Sequence, residues 1–191
     1  MNNTWIIVAV ILIPLIFVIM LYNRLIALRQ TRKNAFSDID VQLKQRFDLV
    51  PQLVETVKGY AGHEKTVFEN VTEARARVGR VGSGGPGAER LQAEGMLGSA
   101  LMGLFAVAEN YPALKADQNF QQLMAELSDI ENKIAAARRF FNSATNEYNT
   151  AVQQFPANMI AGMFGFREEA FFEVGAEEAA LIQKAPTVKF N

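Results

Sequence analysis

An uninterrupted apolar segment near the N-terminus constrains this chain more than any other feature. Residues 5–22 read WIIVAVILIPLIFVIMLY, a run without a charged side chain. A helix of this length reaches roughly 27 Å, which matches the hydrocarbon thickness of a bilayer. The run is apolar on every side, whereas a core helix of a globular domain keeps a polar face. The sequence therefore predicts a transmembrane helix, and Pro14 predicts a local kink in it.

The two ends of this segment support retention of the helix as an anchor. Trp5 and Tyr22 stand at its ends, and aromatic residues of this kind settle at membrane interfaces, while Arg24 follows directly. A cleaved signal peptide is the alternative, but it needs a basic region before the apolar run and a small-residue cleavage site after it. Neither feature is present, so we expect residues 1–4 to be a short tail ahead of an uncleaved span.

Basic residues after the span predict its orientation. Four of them lie within about fifteen residues of its C-terminal end, and they are Arg24, Arg29, Arg32 and Lys33. The positive-inside rule then places residues 23–191 on the cytoplasmic side, with the N-terminus outside. The same cations could bind anionic lipid headgroups, although a topology signal already accounts for them.

Apolar spacing predicts an all-α fold for the rest of the chain. Apolar residues recur every three or four positions from Phe36 to Ala61, and again from Phe120 to Phe155. Alternation of three and four averages 3.5 residues, the period with which long helices pack along a shared seam. Two shorter helices are predicted at 63–78 and 89–110. We expect the membrane helix to continue into an antiparallel four-helix bundle of long helices.

Turn-forming residues suggest the boundaries of this bundle domain, residues 23–155. Residues 79–88 contain a glycine-rich run and predict a flexible loop, and Asp117 is a predicted helix N-cap. Pro51 predicts a kink or break near Leu49.

Residues 156–191 show no obvious helix and are expected to form a short extended tail. Residues 159–166 are apolar and could either lie in a membrane interface or pack across the end of the bundle, which is the favoured alternative.

Composition and motifs argue against an enzyme. The net charge is −1, so no overall field would attract nucleic acid, and the absence of cysteine excludes thiolate chemistry. Gly82, Gly84 and Gly87 satisfy a dinucleotide-binding pattern, but a predicted helix precedes them where that pattern needs a strand. A di-metal site needs Glu-x-x-His on two helices, and His63 is the only histidine. We therefore predict no catalytic, cofactor or metal site.

Polar residues beside the apolar stripes are the remaining candidates for a specific role. Asp40, Arg46, Glu131 and Arg138 could pair between helices or between copies of the chain and set the packing register. The alternative is that each belongs to a solvated helix face.

Several long phrases resemble the LemA family. They are YNRLIALRQ (22–30), IDVQLKQRFDLVPQLVETVKGYAGHE (39–64), the stretch from ENYPALK to QQFP (109–156), FFEV (171–174) and PTVKF (186–190). The resemblance implies a bacterial inner-membrane protein with an external N-terminus and a helical bundle, and it implies links to membrane remodelling. It also implies a possible membrane metalloprotease partner of the HtpX kind and no established enzymatic activity.

Two functional hypotheses follow. The first is a non-enzymatic membrane scaffold that contacts lipid, self-associates and organises the membrane. The second is an adaptor or regulatory partner of a membrane protease or transporter.

Overall fold

The computed structural model describes residues 3–82 and 87–172, with side chains from residue 8 onward. Helices make up most of these two ranges, and neither range contains a strand. They are α1 (Asn3–Lys58), α2 (Lys65–Val81), α3 (Ala88–Ala108), α4 (Pro112–Lys115), α5 (Gln118–Gln153) and α6 (Ala157–Phe164). The predicted all-α fold is therefore confirmed.

Helix α1 joins the apolar segment to the following helix without interruption, as predicted. It also runs through Pro51 without the predicted break near Leu49, and the alternative of a kink there stays a prediction. Leu49, Val50 and Leu53 are almost fully buried around this proline. Burial of a large apolar side chain contributes about 1.5–3 kcal/mol, and a proline inside a helix costs about 3 kcal/mol. Packing of this turn is thus sufficient to keep the helix intact.

The first part of the predicted C-terminal tail is helical rather than extended. Ala157, Ile160 and Ala161 form the buried stripe of α6, and this spacing is helical although it spans barely more than one turn. Gly165 ends the helix in the left-handed conformation, with φ of 73°, which suits glycine. Residues 173–191, including the last two residues of FFEV and all of PTVKF, lie outside the described residues.

Other boundaries lie close to their predicted positions. Helix α2 ends at Val81 and α3 begins at Ala88, so residues 79–81 and 88 of the predicted loop 79–88 are helical, while residues 83–86 lie outside the described part. The short helix α4 was not anticipated. The backbone N–H of Phe120 donates to Oδ1 of Asp117 at 2.8 Å, so Asp117 caps α5 as predicted.

The chain divides into two compact units that share the long helices α1 and α5. The first unit contains residues 1–39 and 136–172. Within it, Leu25 packs beside Tyr148, and the ring of Phe36 contacts that of Phe141. Later residues of α1 therefore contact earlier residues of α5, so the two segments are antiparallel there. Helix α6 completes this apolar core.

Of the described residues, the second unit contains 40–82 and 87–135. Helix α2 packs on α3, and buried side chains of Leu53, Val71, Leu97 and Leu104 contribute to the core. Segments of α1, α2, α3 and α5 all belong to this unit, which is the element set of the predicted bundle. The antiparallel four-helix arrangement itself stays a prediction.

Candidate functional site

The N-terminal half of α1 presents its apolar side chains outward. From Val8 to Met20, all but one of the side chains are exposed, with Val10 at 65%, Ile13 at 67% and Leu15 at 53%. The segment is long and apolar enough to cross a membrane. Pro14 lies inside the uninterrupted helix, whereas the side chain of Trp5 lies outside the described set. This surface is what a hydrocarbon environment would cover.

Helix α3 also satisfies the length and hydropathy criteria for a membrane span. Its apolar stripe is buried, however, with Leu97, Leu101 and Leu104 each at most 2% exposed. The same helix carries buried Arg90 and Glu94. These features are typical of a core helix of a globular body.

Tyr22 marks the point where the apolar segment of α1 meets α6. Its ring makes edge-to-face contacts with Phe164 at 4.9 Å and with Phe166 at 5.6 Å between centroids. Val18 and Leu21 pack against the same cluster, which includes buried Ile160. The end of the apolar segment is therefore fixed to folded structure.

Three of the four predicted headgroup or topology cations are available to solvent. Arg24, Arg29 and Lys33 are exposed, but the side chain of Arg32 is only 12% exposed. Its Nε donates to Oγ1 of Thr145 at 3.0 Å, and Nη2 donates to the carbonyl oxygen of Ala170 at 2.9 Å.

Arg32 has further partners in the same unit. The guanidinium lies over the ring of Phe141, 4.7 Å from its centroid, and Nη1 pairs with Glu169 at 3.4 Å. The structure thus gives Arg32 a role in packing that its position in the sequence did not reveal.

Two asparagines of α5 hold the segment that follows α6. Asn149 donates to the carbonyl of Glu169 and accepts from its N–H, both at 2.9 Å. Asn142 makes the same pair of bonds with Phe172, at 3.1 and 2.8 Å. Each amide satisfies a backbone donor and acceptor together. In the sequence, the spacing of seven residues indicates only that the two asparagines lie on the same side of one helix. It does not indicate that they bind the backbone of a later segment.

Arg138, a predicted pairing residue, lies near the same segment. Its guanidinium stacks over the ring of Phe172 at 4.8 Å from the centroid. An arginine in this position contributes through cation–π attraction as well as through packing.

A buried ionic cluster lies in the second unit. Nη2 of Arg46 pairs with Oε2 of Glu94 at 2.6 Å, and Nη1 pairs with Oε1 of Glu131 at 2.8 Å. The side chains of Arg46 and Glu94 are both 3% exposed. Burial alone lowers the pKa of Arg46, but the carboxylates of Glu131 and Glu94 more than offset it, so this pKa is raised. The cluster ties α1 to α3 and α5.

Asp40 pairs with Arg90 of α3 in the same unit. The structure therefore brings the predicted residues Arg46 and Glu131 together, and it gives Asp40 a partner that sequence reasoning did not select. Glu94 and Arg90 were missed because no spacing rule connects them with residues of α1. The role of these pairs in setting the packing register stays a prediction.

A hydrogen bond joins the turn after α1 to the start of α5. The hydroxyl of Tyr60 donates to Oδ2 of Asp117 at 2.9 Å, and this bond raises the pKa of Tyr60. The pKa of Asp117 is lowered, first by the N–H of Phe120 and then by the Tyr60 hydroxyl. Both hydrogen bonds stabilise the ionised form of the Asp117 carboxylate.

Metal-ligating side chains and surface grooves bear on what chemistry the described residues could support. Within residues 3–82 and 87–172 no three His, Cys, Asp or Glu side chains are placed to hold a metal ion. A surface groove is lined by Lys58, Gly62, Lys65, Phe68, Glu69, Thr72, Glu73 and Ala76. The Thr72 hydroxyl in this groove donates to the carbonyl of Phe68 at 2.7 Å, which is an ordinary helix contact.

Comparison with known sequences identifies the family of this fold. The sequence pattern that defines the LemA family matches residues 35–190. The chain belongs to the LemA family. The match begins after the apolar segment, so it concerns the helical body, while the evidence for the anchor is the apolar segment of α1.

Related proteins cover most of this LemA chain. Magnetosome protein MamQ 2 of Paramagnetospirillum magneticum is 26% identical over 178 residues, which is 81% of this chain and 65% of that protein. Magnetosome protein MamQ of Magnetospirillum gryphiswaldense is 27% identical, over 86% of this chain and 69% of that protein. Protein LemA of Metamycoplasma hominis is 24% identical, over 82% and 70%. The chain thus spans about two thirds of the length of these relatives.

Proposed function

We propose that this LemA-family chain is a non-enzymatic, membrane-anchored scaffold that self-associates and organises the surrounding membrane. One observation carries the proposal: the exposed apolar segment and the first helix of the folded body are the single uninterrupted helix α1. A body joined in this way cannot swing freely on a linker. Such a join suits a protein that holds other components at a defined position on a bilayer.

Contacts inside each unit hold α1 in place within that unit. In the first unit, α1 is fixed by the buried side chain of Leu25 and by the bonds of Arg32. In the second unit, Arg46 pairs with carboxylates from two other helices. Breaking a buried ion pair of this kind costs about 3–5 kcal/mol, which makes the packing register of α1 expensive to change.

Location and orientation are part of the proposal. The apolar helix supports a membrane anchor, and the named relatives are bacterial proteins. We assign the chain to the bacterial inner membrane. The exposed cations Arg24, Arg29 and Lys33 follow the span, which favours a cytoplasmic body and an external N-terminus.

Self-association requires a surface beyond the pairs already described, because Arg46 and Glu131 are matched within the chain. Large apolar side chains remain exposed on the helices and could serve, and they include Val41, Met96 and Phe140. Burial of such side chains against a second copy would favour self-association.

Crosslinking mass spectrometry in native membranes tests the proposal. A scaffold should yield crosslinks between identical positions of two copies, since such links cannot form within one chain. A strictly monomeric chain without such links contradicts the scaffold. Capture of a membrane protease or transporter as the dominant product would favour the adaptor hypothesis instead.

A further inference from the structure

We propose that α6 is an interfacial helix whose exposed methionine and phenylalanine side chains insert into the bilayer that α1 crosses. The occupant of this surface is lipid at the boundary between headgroups and acyl chains. This inference rests on the membrane anchor of the proposed function and adds a second point of lipid contact to it.

The exposed side of α6 and its preceding turn is unusually apolar. The large apolar side chains there are 55–80% exposed, and they are Phe155, Met159, Met163 and Phe164. Isolated exposed apolar residues are common on proteins, but a contiguous group marks an interaction site. The surface therefore needs a partner that covers it.

The position of α6 identifies lipid as that partner. Ile160 and Ala161 of α6 belong to a buried apolar cluster, and the end of the apolar segment, including Val18, Leu21 and Tyr22, packs against that cluster. The ring of Phe164 contacts that of Tyr22. Because Tyr22 stands where the span ends, a helix fixed against it lies at the membrane interface.

The chemistry of α6 fits this environment. Methionine and phenylalanine are accommodated at the acyl boundary, where interfacial helices bury an apolar face about 5–10 Å deep. Asn158 is exposed beside Met159 and gives the outer side of the helix a polar flank. Arg24 and Arg167 are also exposed next to Tyr22 and Phe166 along the chain, where cations can meet lipid phosphates.

Depth measurement with a nitroxide label tests the inference in the full-length chain. The protein contains no cysteine, so single substitutions Met163→Cys, Leu15→Cys and Ser143→Cys each give one labelling site. All three positions are exposed. The chain is reconstituted in vesicles of equimolar phosphatidylcholine and phosphatidylglycerol. Collision rates with oxygen, which concentrates in lipid, and with a water-soluble nickel chelate are then measured.

The expected pattern is specific to an interfacial helix. Leu15 should report the membrane interior, Ser143 should report water, and Met163 should report a shallow lipid position. The oxygen-to-nickel ratio at Met163 should be several-fold above that at Ser143. Protection of Met163 from both reagents would indicate a protein contact such as a second copy, and it would overturn the inference.

The Leu15 label separates this inference from the proposed function. A deep Leu15 label with a water-exposed Met163 label overturns the interfacial helix and leaves the anchor intact. A Leu15 label in water overturns both.

A charge substitution on α6 provides a matched test. With the label at Met163, Met159→Glu should lower the oxygen-to-nickel ratio several-fold, because the carboxylate resists the acyl region. The neighbouring Asn158→Glu lies on the polar flank and should leave the ratio unchanged. Equal effects of the two substitutions would contradict the proposed orientation of the helix. Both side chains are exposed, so the fold should tolerate either change.

Discussion

Helices α1 and α3 both have the length and hydropathy of a membrane span, but they differ in how much of their apolar surface is buried. Only 6% of the apolar window of α1 is buried, against 33% in α3. Leu97, Leu101 and Leu104 of α3 are covered by protein, and Arg90 and Glu94 on the same helix have partners on α1. The N-terminal segment of α1 carries no charge and leaves its apolar surface open.

The comparison shows that hydropathy alone does not select the anchor. Burial decides, because an apolar side chain already covered by protein gains nothing from entering lipid. Charged residues reinforce the distinction, since ionised side chains near the centre of a span are costly. By both criteria α1 is the membrane helix and α3 belongs to the folded body.

The largest expected effect comes from placing charge on each helix in turn. Ile13→Arg combined with Ile16→Arg should remove the chain from the membrane, because each arginine at the centre of a span costs about 2.5–3.5 kcal/mol. The fraction that pellets with membranes after an alkaline carbonate wash measures this. The control is Met102→Arg, since Met102 is as exposed on α3 as Ile13 is on α1, at 68% and 67%. If Met102→Arg releases the chain as well, the assignment of α3 is wrong.

The next largest effect is a loss of stability when a buried charge of α3 loses its partner on α1. Arg46→Met leaves Glu94 without its cation in the core and should lower the free energy of unfolding by about 3–5 kcal/mol. Urea titration of the full chain in detergent micelles, followed by circular dichroism, gives this value. Lys44→Met is the matched control, because the ion pair of Lys44 with Asp48 is exposed and is worth about 1 kcal/mol or less. Equal losses in the two variants would contradict a buried cluster.

A pair of leucine truncations sharpens the same contrast. Leu101→Ala in α3 removes a side chain that is 2% exposed and should cost about 2–5 kcal/mol of unfolding free energy. Leu15→Ala in α1 should leave unfolding of the body unchanged, since Leu15 is 53% exposed. The same urea titration measures both. A large loss for Leu15→Ala would show that the N-terminal segment packs in a protein core.

The smallest effect is a pH dependence confined to the body. The pKa of Asp117 is lowered in the folded chain, so its contribution is present above its unfolded pKa of about 3.9 and is lost as the pH falls through the folded value. Asp117→Asn keeps a helix-capping side chain but should flatten the acid limb of the unfolding midpoint plotted against pH. Membrane retention should not change. An unaltered acid limb would contradict the role assigned to this carboxylate.

Sequence reasoning succeeded where a long pattern carried the information. The apolar run and the stripe from Phe120 to Phe155 each extend over several helical turns, and the structure forms α1 and α5 there. It missed α6 because a single turn of buried residues, broken by Gly162, is too short to distinguish from a loop.

The partners of individual polar residues could mostly not be predicted from the sequence. The sequence pattern predicts a topology or headgroup role for Arg32, yet its side chain donates to Thr145, which is 113 residues away in sequence. Glu94 was not selected at all, although it faces Arg46 in the core. Such contacts depend on which helices become neighbours, and periodicity within one helix does not contain that information.

Reaction with N-ethylmaleimide tests the central claim most directly, because this reagent crosses membranes but modifies only thiols that reach water. Ile13→Cys and Met102→Cys each introduce one thiol into a chain without cysteine, at positions of equal exposure. In native membranes Met102→Cys should react fully and Ile13→Cys should stay unmodified until the sample is denatured. Rapid reaction of Ile13→Cys, or protection of Met102→Cys in its place, would contradict the assignment of α1 as the membrane helix.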